Sequence, residues 1–521
     1  MQLKINNRFT AELPADPNET NETRQVMKAC FSYVLPRIPS NPKLLHTSSE
    51  VAQMIGLSDD DVQSEDFLTI FSGKKTLPNS KSYSMNYAGH QFGNWAGQLG
   101  DGRAIILGEI EHHNYNWMLQ LKGAGSTPYS RRADGLAVLR SSIREHLCSE
   151  AMFHLGVPTT RSLSLILTGD TVLRDVMYDG NPQYEKGAVV CRVAPTFIRF
   201  GNFELLAAQN DLENLRRLTD YTIKYHYPEI ALDGKDKYIA FFKNVADKTR
   251  DMIVNWQRVG FVHGVMNTDN MSILGITIDY GPYGWLEDYN SDWTPNTTDR
   301  EYRRYCFGNQ PEIALWNLFQ LANALYLLVE EASPFEKILE DFQLLYQINC
   351  VDMMRKKLGF TLASKNDVRL ISELEELLHL SETDMTIFYR ELGRVKKDHS
   401  PGCAIATIDD AFYKPEEIKK DILRKWEHWF KKYIYRLNEE DLCDNQRKIE
   451  MNKVNPKYVL RNYMAQIAID EADKENYSVL SELHELLKKP YDEQPEFEKW
   501  YTKRPEWARN KIGCSMLSCS S

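Results

Sequence analysis

The chain has no apolar run that approaches the ~20 residues needed to cross a bilayer. Its first residues, Met1-Gln2-Leu3-Lys4-Ile5-Asn6-Asn7, offer no apolar signal core and no Arg-rich, acid-poor transit character. A cytoplasmic protein without membrane contact is the expectation. The sequence also lacks an excess of basic charge: 63 Lys and Arg stand against 73 Asp and Glu, a net charge of −10. General nucleic-acid binding, which needs a dense cationic surface, is therefore not expected. None of the nine cysteines forms a C-x-x-C pair, which argues against zinc-ribbon and thioredoxin-type sites. There are no internal repeats and no low-complexity tract.

What is present is ordinary globular composition, 42% hydrophobic and 26% charged, in a chain of 521 residues long enough for a large core. Residues 1–80 mix short helical signals with polar loops and read as an N-terminal extension. From 81 to 205, short β-like runs are punctuated by glycine turns. Ala104–Leu107 follows Gly100-Asp101-Gly102-Arg103, and Asn116–Lys122 alternates with Trp117, Leu119 and Leu121 on one face. Ser162–Thr168 and Thr171–Val176 flank Gly169-Asp170 as an expected hairpin. Ala188–Val193 is another strand, and one clear helix is expected over Leu136–Leu155, stopped by Gly156. Residues 206–480 read as mostly helical, interrupted by a β-like island at Met271–Tyr280 and a polar, aromatic loop from Gly281 to Gln310. Residues 481–521 form a tail. The expected fold class is α+β, a protein-kinase-like bilobal fold with a small β-rich N-lobe and a larger helical C-lobe.

The chemistry concentrates in His263-Gly264-Val265-Met266-Asn267-Thr268-Asp269-Asn270 and Asp279-Tyr280-Gly281. Protein kinases place H-R-D or H-G-D in such a loop, an Asn five residues after the Asp, and a later D-F-G. His263, Asn270 and Asp279 fit that order. Val265 stands where the kinase base would be, so no carboxylate there can accept a hydroxyl proton; Asp269 is the nearby alternative. Asn270 and Asp279 offer oxygens of the kind Mg²⁺ prefers. The competing reading of both fragments is a pair of simple turns.

Lys122 ends an alternating strand, placed to put a cation on phosphate oxygens, with Glu145 on the following helix to orient it. Gly100, Gly102 and Arg103 form a tight turn able to bring backbone N–H groups to a phosphate. Asp134-Gly135 sits before the expected helix start, as an anion site or an N-cap. Arg192, in a strand among apolar residues, and Arg199 supply planar forks for phosphate. Ordinary surface or turn roles are the alternatives for each.

Together these residues resemble the selenoprotein O family. Its signatures are similar to Asn86-Tyr87-Ala88-Gly89-His90-Gln91-Phe92-Gly93, Gly100–Arg103, Leu139–Glu145, Arg192–Pro195, Ile198–Gly201, His263–Met271, Arg504–Ala508 and the tail Ser518–Ser521. The resemblance implies a pseudokinase that binds ATP, or UTP, in a flipped orientation with Mg²⁺ or Mn²⁺. It transfers AMP to Ser, Thr or Tyr hydroxyls of proteins. It further implies that Gly100, Gly102, Arg103, Lys122, Asp134, Gly135, Arg192, Arg199 and Asp279 hold the nucleotide. Glu145 would orient Lys122, Asn270 and Asp279 would bind the metal, and Asp269 would be the general base. A monomer is expected. Some relatives pair a tail cysteine with one in the loop after Asp-Tyr-Gly; here Pro295 stands at the aligned loop position. Cys306 with Cys519 is the remaining pair, and two unpaired thiols the alternative. Two other functions stay open at this point: a kinase-like phosphotransferase and a non-catalytic nucleotide-binding pseudokinase.

Overall fold

Period-two alternation sets which side chains can meet. The computed structural model describes residues 1–518, with Leu119 and Leu121 of the strand Tyr115–Lys122 facing one core and Met118 the other. The next strand repeats the pattern: Val189, Cys191 and Val193 face the first core, Ala188 and Val190 the second. Gln120, Lys122 and Arg192 therefore share a face by pleat alone. Register makes them neighbours, since Arg192 pairs with Gln120 and Val190 with Lys122.

The main sheet runs Phe31–Tyr33, Tyr83–Met85, Ala104–His112, Tyr115–Lys122, Gln183–Ala194, Arg161–Arg174, Lys43–Thr47, with antiparallel neighbours throughout. One face is covered by Val51, Ile55, Phe67 and Phe71 from short helices early in the chain. The other is covered by the helix Leu139–His154, through Ile143, Leu147 and Ala151. That second core continues without a break into Phe203, Phe241, Trp256 and Leu318 of the following helices. Residues 353–451 build a further helical core around Trp426, Trp429, Phe430 and Tyr433. The architecture is thus mixed α and β with an antiparallel sheet.

Several local expectations are corrected. Gly169-Asp170 is not a hairpin turn. Arg161–Arg174 is one continuous strand, and the ladder slips there from Lys186–Thr171 to Ala188–Leu167, so the extra residues bulge outward. Met271–Tyr280 is not a strand. Gly275 turns the backbone (φ +62°), and only single bridges form, Ser272 to Arg199 and Thr277 to Thr159. The short strand pair of this region is instead Phe261–Val262 with Gly284–Trp285. The helix expected from Leu136 starts at Leu139, after a two-residue strand Ala137–Val138. Residues 1–80 supply two strands of the main sheet as well as helices. One stretch, Phe307–Val329, is long and apolar enough to cross a membrane, contrary to the expectation of no such run. Its Ala314, Leu318, Leu321 and Leu325 are buried in the second core.

Candidate active site

Helix termination delivers the His263 loop. The helix Gly234–Val259 ends on Gly260, whose left-handed φ of +74° turns the chain into Phe261–Val262. His263 follows, fully buried, stacked on Trp256 and with its Nε2 2.9 Å from the Ile278 carbonyl oxygen. This contact ties the loop to the segment that carries Asp279. Asn270 sits in a single 3-10 turn, Thr268–Asn270, and its amide donates to the Val265 carbonyl at 2.9 Å. The valine that replaces a kinase base thus contributes only its backbone.

Around Asp279 the structure gathers Lys122, Glu145, Arg192 and Arg199. Lys122 Nζ lies 2.5 Å from Glu145 Oε2 and 3.8 Å from Asp279 Oδ1. Arg192 donates to Glu145 Oε1 at 3.0 Å and also reaches Asp279. Arg199 donates to Asp279 Oδ2 at 2.6 Å and to the Asp269 backbone carbonyl at 2.7 Å. Three cations thus converge on Glu145 and Asp279, with the buried Asp101 carboxyl 3.8 Å from Arg199. Burial alone would push the Asp279 carboxyl up, but Arg199, Arg192 and Lys122 outweigh it and hold it well below the usual carboxylate range. Burial pulls the Lys122 ammonium down, opposed by Glu145. Both arginines are buried, at 2% and 1% exposure, so they form the wall of the site, while the Asp279 side chain stays 22% exposed. Asp279 has a left-handed φ of +56°, uncommon for a residue with a side chain.

Asp269 stands apart from that ion cluster. Its Oδ2 accepts from Gln91 Nε2 at 3.4 Å, and its buried Oδ1 has no hydrogen-bond partner. Burial pushes its carboxyl up to about 7, against the pull of Arg199. A carboxyl poised there can exchange a proton near neutral pH.

The remaining predicted residues divide. Arg103 lines a water-sized cavity with Lys122, Ser141 and Glu145. Gly100 (φ +72°) and Gly102 pack so tightly on Tyr129 that a Cβ would collide with it. The residue between them, Asp101, is buried and lies 3.8 Å from Arg199. Asp134 is not brought into the cluster: it is partly exposed and held by both Nη atoms of Arg174 at 2.8 Å. Gly135 packs on Gly125. Cys306 is buried, and burial pushes its thiol up; Cys519 lies outside the described residues. A roomier cavity, about 660 Å³, opens beside Arg390, Lys457 and Tyr501. Arg390 and Lys457 there are already paired with Glu493, and no residue of the Asp279 cluster borders it.

Some residues of the site were missed. Gln120 accepts from Arg192 and donates to Asp101 Oδ2 at 3.3 Å. Tyr87 lies under the Arg199 guanidinium, 4.4 Å from ring centroid to carbon. The hairpin Ala88–Gln91 with Asn94–Gln98 docks on the His263 loop. His90 N–H donates to Thr268 Oγ1 at 2.7 Å, and Phe92 N–H to Asn267 Oδ1 at 3.2 Å. Gln120 was readable, two positions before Lys122 on one pleated face; the hairpin's docking was not.

The sequence model of the family described as "Protein adenylyltransferase SelO" matches residues 18–488. The chain belongs to the SelO family. It is 64% identical over 519 residues to "Protein nucleotidyltransferase YdiU" of Flavobacterium johnsoniae, covering 100% of this chain and 99% of that one. Relatives of the same description in Rhodopirellula baltica and Aromatoleum aromaticum are 52% and 51% identical, again over 100% of this chain and 99% of theirs. The SelO signatures at Asn86–Gly93 and His263–Met271 are the two segments that meet at Asp269.

Proposed function

We propose that this chain is a protein adenylyltransferase, moving AMP from ATP to Ser, Thr or Tyr hydroxyls of proteins and releasing pyrophosphate. The observation that carries the reading is Asp269: a buried carboxyl, raised to about 7, beside Asn270, in a loop whose kinase-base position is Val265. The kinase-like bilobal layout, with an N-lobe over 81–205 and a C-lobe over 206–480, belongs to the same proposal. So do a cytoplasmic location, a monomeric state and the use of UTP by the same site.

In this reading the acceptor oxygen attacks the α-phosphorus while its proton passes to Asp269. The bond from the α-phosphorus to the bridging oxygen breaks, and pyrophosphate carries the electron pair away. Lys122, Arg192 and Arg199 neutralise that leaving charge, with Arg103 and the Gly100–Gly102 turn bordering the phosphates. Asp134 and Gly135 complete the proposed nucleotide set only at its rim, since Asp134 is committed to Arg174. Glu145 keeps Lys122 extended. Positioning and charge neutralisation supply most of the rate in such transfers.

The donor set fits a hard divalent cation such as Mg²⁺ or Mn²⁺. Asp279 is ionised and partly exposed, and Asn270, its amide NH₂ held by Val265, has an oxygen to offer. Such an ion would neutralise phosphate charge there. The decisive experiment compares α-labelled with γ-labelled ATP, using Mg²⁺ and candidate acceptor proteins. Label entering protein from α-labelled ATP, with pyrophosphate released, is the expected result. Transfer from γ-labelled ATP alone, with ADP released, overturns the reading in favour of a phosphotransferase. Nucleotide binding without turnover, with either metal, would leave a non-catalytic pseudokinase.

A further inference from the structure

Next to Glu145 on the same helix begins a cluster that the proposed activity does not use. His46 of the strand Lys43–Thr47, His146 of the helix Leu139–His154 and His484 of the helix Ser478–Leu487 converge. One ring nitrogen from each lies within 4.8 Å of the others. No other group of His, Cys, Asp and Glu among the described residues converges in this way. We propose that His46, His146 and His484 bind one divalent transition-metal ion of the zinc class.

Two observations carry this. His484 is 2% exposed, yet neither ring nitrogen makes a hydrogen bond. At least one of those nitrogens is an N–H, and a buried histidine with a purely packing role normally has its polar atoms satisfied. Its nearest carboxylate oxygen, on Glu485, is 3.7 Å away, beyond hydrogen-bond reach. Second, His146 is already oriented as a ligand. Its Nδ1 lies 2.6 Å from Ser162 Oγ, and with a proton on Nδ1 its Nε2 accepts a hydrogen bond from His46 Nδ1 at 2.9 Å, the contact that an ion would replace. A hydrogen bond from the far ring nitrogen is how metal-binding histidines are commonly fixed.

Imidazole nitrogen suits zinc, copper and nickel far better than Mg²⁺. Zinc–nitrogen bonds of about 2.0–2.1 Å set ligand nitrogens roughly 3.3 Å apart, so the His46–His146 pair must open slightly and His484 must draw in, which ring rotation can supply. A fourth position would remain for water. The ion would be structural, fastening a helix near the end of the chain to the helix that holds Glu145 and to a strand from its beginning.

The test uses the full chain, stripped with a chelator and then titrated with Co²⁺ in excess Mg²⁺, so that the Asp279 region is blocked. One equivalent of Co²⁺ should bind with the visible d–d absorption of imidazole-ligated cobalt, and Zn²⁺ should abolish it. His484→Leu and His46→Leu, each checked for native circular dichroism, should weaken binding by about 100-fold or more. His46 is only half-buried, so its variant keeps the test open if His484→Leu fails to fold. Absence of the d–d band in the wild-type chain overturns the proposal. So does retention of full affinity in either folded variant.

Discussion

Gly89 and Asp269 touch so closely that no side chain fits between them: a Cβ on Gly89 would lie 2.8 Å from Asp269 Oδ1 and 2.9 Å from Asp269 Cβ. The glycine has no left-handed φ, so its role here is close approach rather than backbone freedom. Gly89→Ala should therefore fold and bind nucleotide, but with the Asp269 carboxylate displaced. A shift of about 1 Å in a reacting group costs roughly 100-fold in rate. Steady-state kinetics of AMP transfer should show that loss in kcat with little change in the KM for ATP.

Asp269 itself gives a pH signature. Its folded pKa is raised to about 7 by burial, so the neutral form dominates below that value and the base appears as pH rises through it. The kcat/KM of transfer should climb with a single acid limb near 7, which Asp269→Asn removes together with the activity. Stability should move the other way. A raised carboxyl contributes stability that is complete below its unfolded value and lost as pH rises through about 7. The Asn variant should then be the more stable protein above neutrality, read from thermal melts on both sides of the limb.

Glu145 is a counter-charge to two buried cations, Lys122 and Arg192. Glu145→Ala leaves both underpaired in a dry site. Removing one partner of a buried ion pair costs about 3–5 kcal/mol. Urea denaturation should show a loss of that order, largely insensitive to added salt because the pair is buried.

Among the cysteines, Cys403 and Cys443 are exposed and Cys306 is buried with a raised thiol. Thiolate availability and access control alkylation. Iodoacetamide should modify Cys403 and Cys443 well before Cys306, as read by peptide mapping. The same map under oxidant tests the Cys306–Cys519 pair: no such peptide, and both thiols are single.

Side-chain neighbours were legible in the sequence where one pattern fixed a face. Lys122 closes an alternating strand and Glu145 rides a helix, so their meeting followed from pleat and periodicity. The tie between His263 and the segment that carries Asp279 followed from their spacing. What failed were features set by long-range contact. An apolar run such as Ile273–Ile278 reads alike whether it joins a ladder or sends single side chains into a core. Gly169-Asp170 reads alike as a turn or a bulge, and only the partner strand decides. The pairing of Asp134 with Arg174 was not legible, because nothing nearby in sequence announces Arg174 as its partner. The roles of Gln91 and Gly89 are invisible in the sequence, because their contact with Asp269 spans nearly 180 residues.

The strand Lys43–Thr47 closes one edge of the sheet by pairing with residues Ser164–Leu167. During synthesis it emerges about 120 residues before that partner, a wait of roughly 6–24 s at about 5–20 residues per second. For that interval the nascent chain carries an unpaired hydrogen-bonding edge and the apolar helices beside it. Ribosome-bound chains of this protein should thus depend on holdase chaperones over a defined window of lengths, one that closes once the strand Arg161–Arg174 has cleared the exit tunnel.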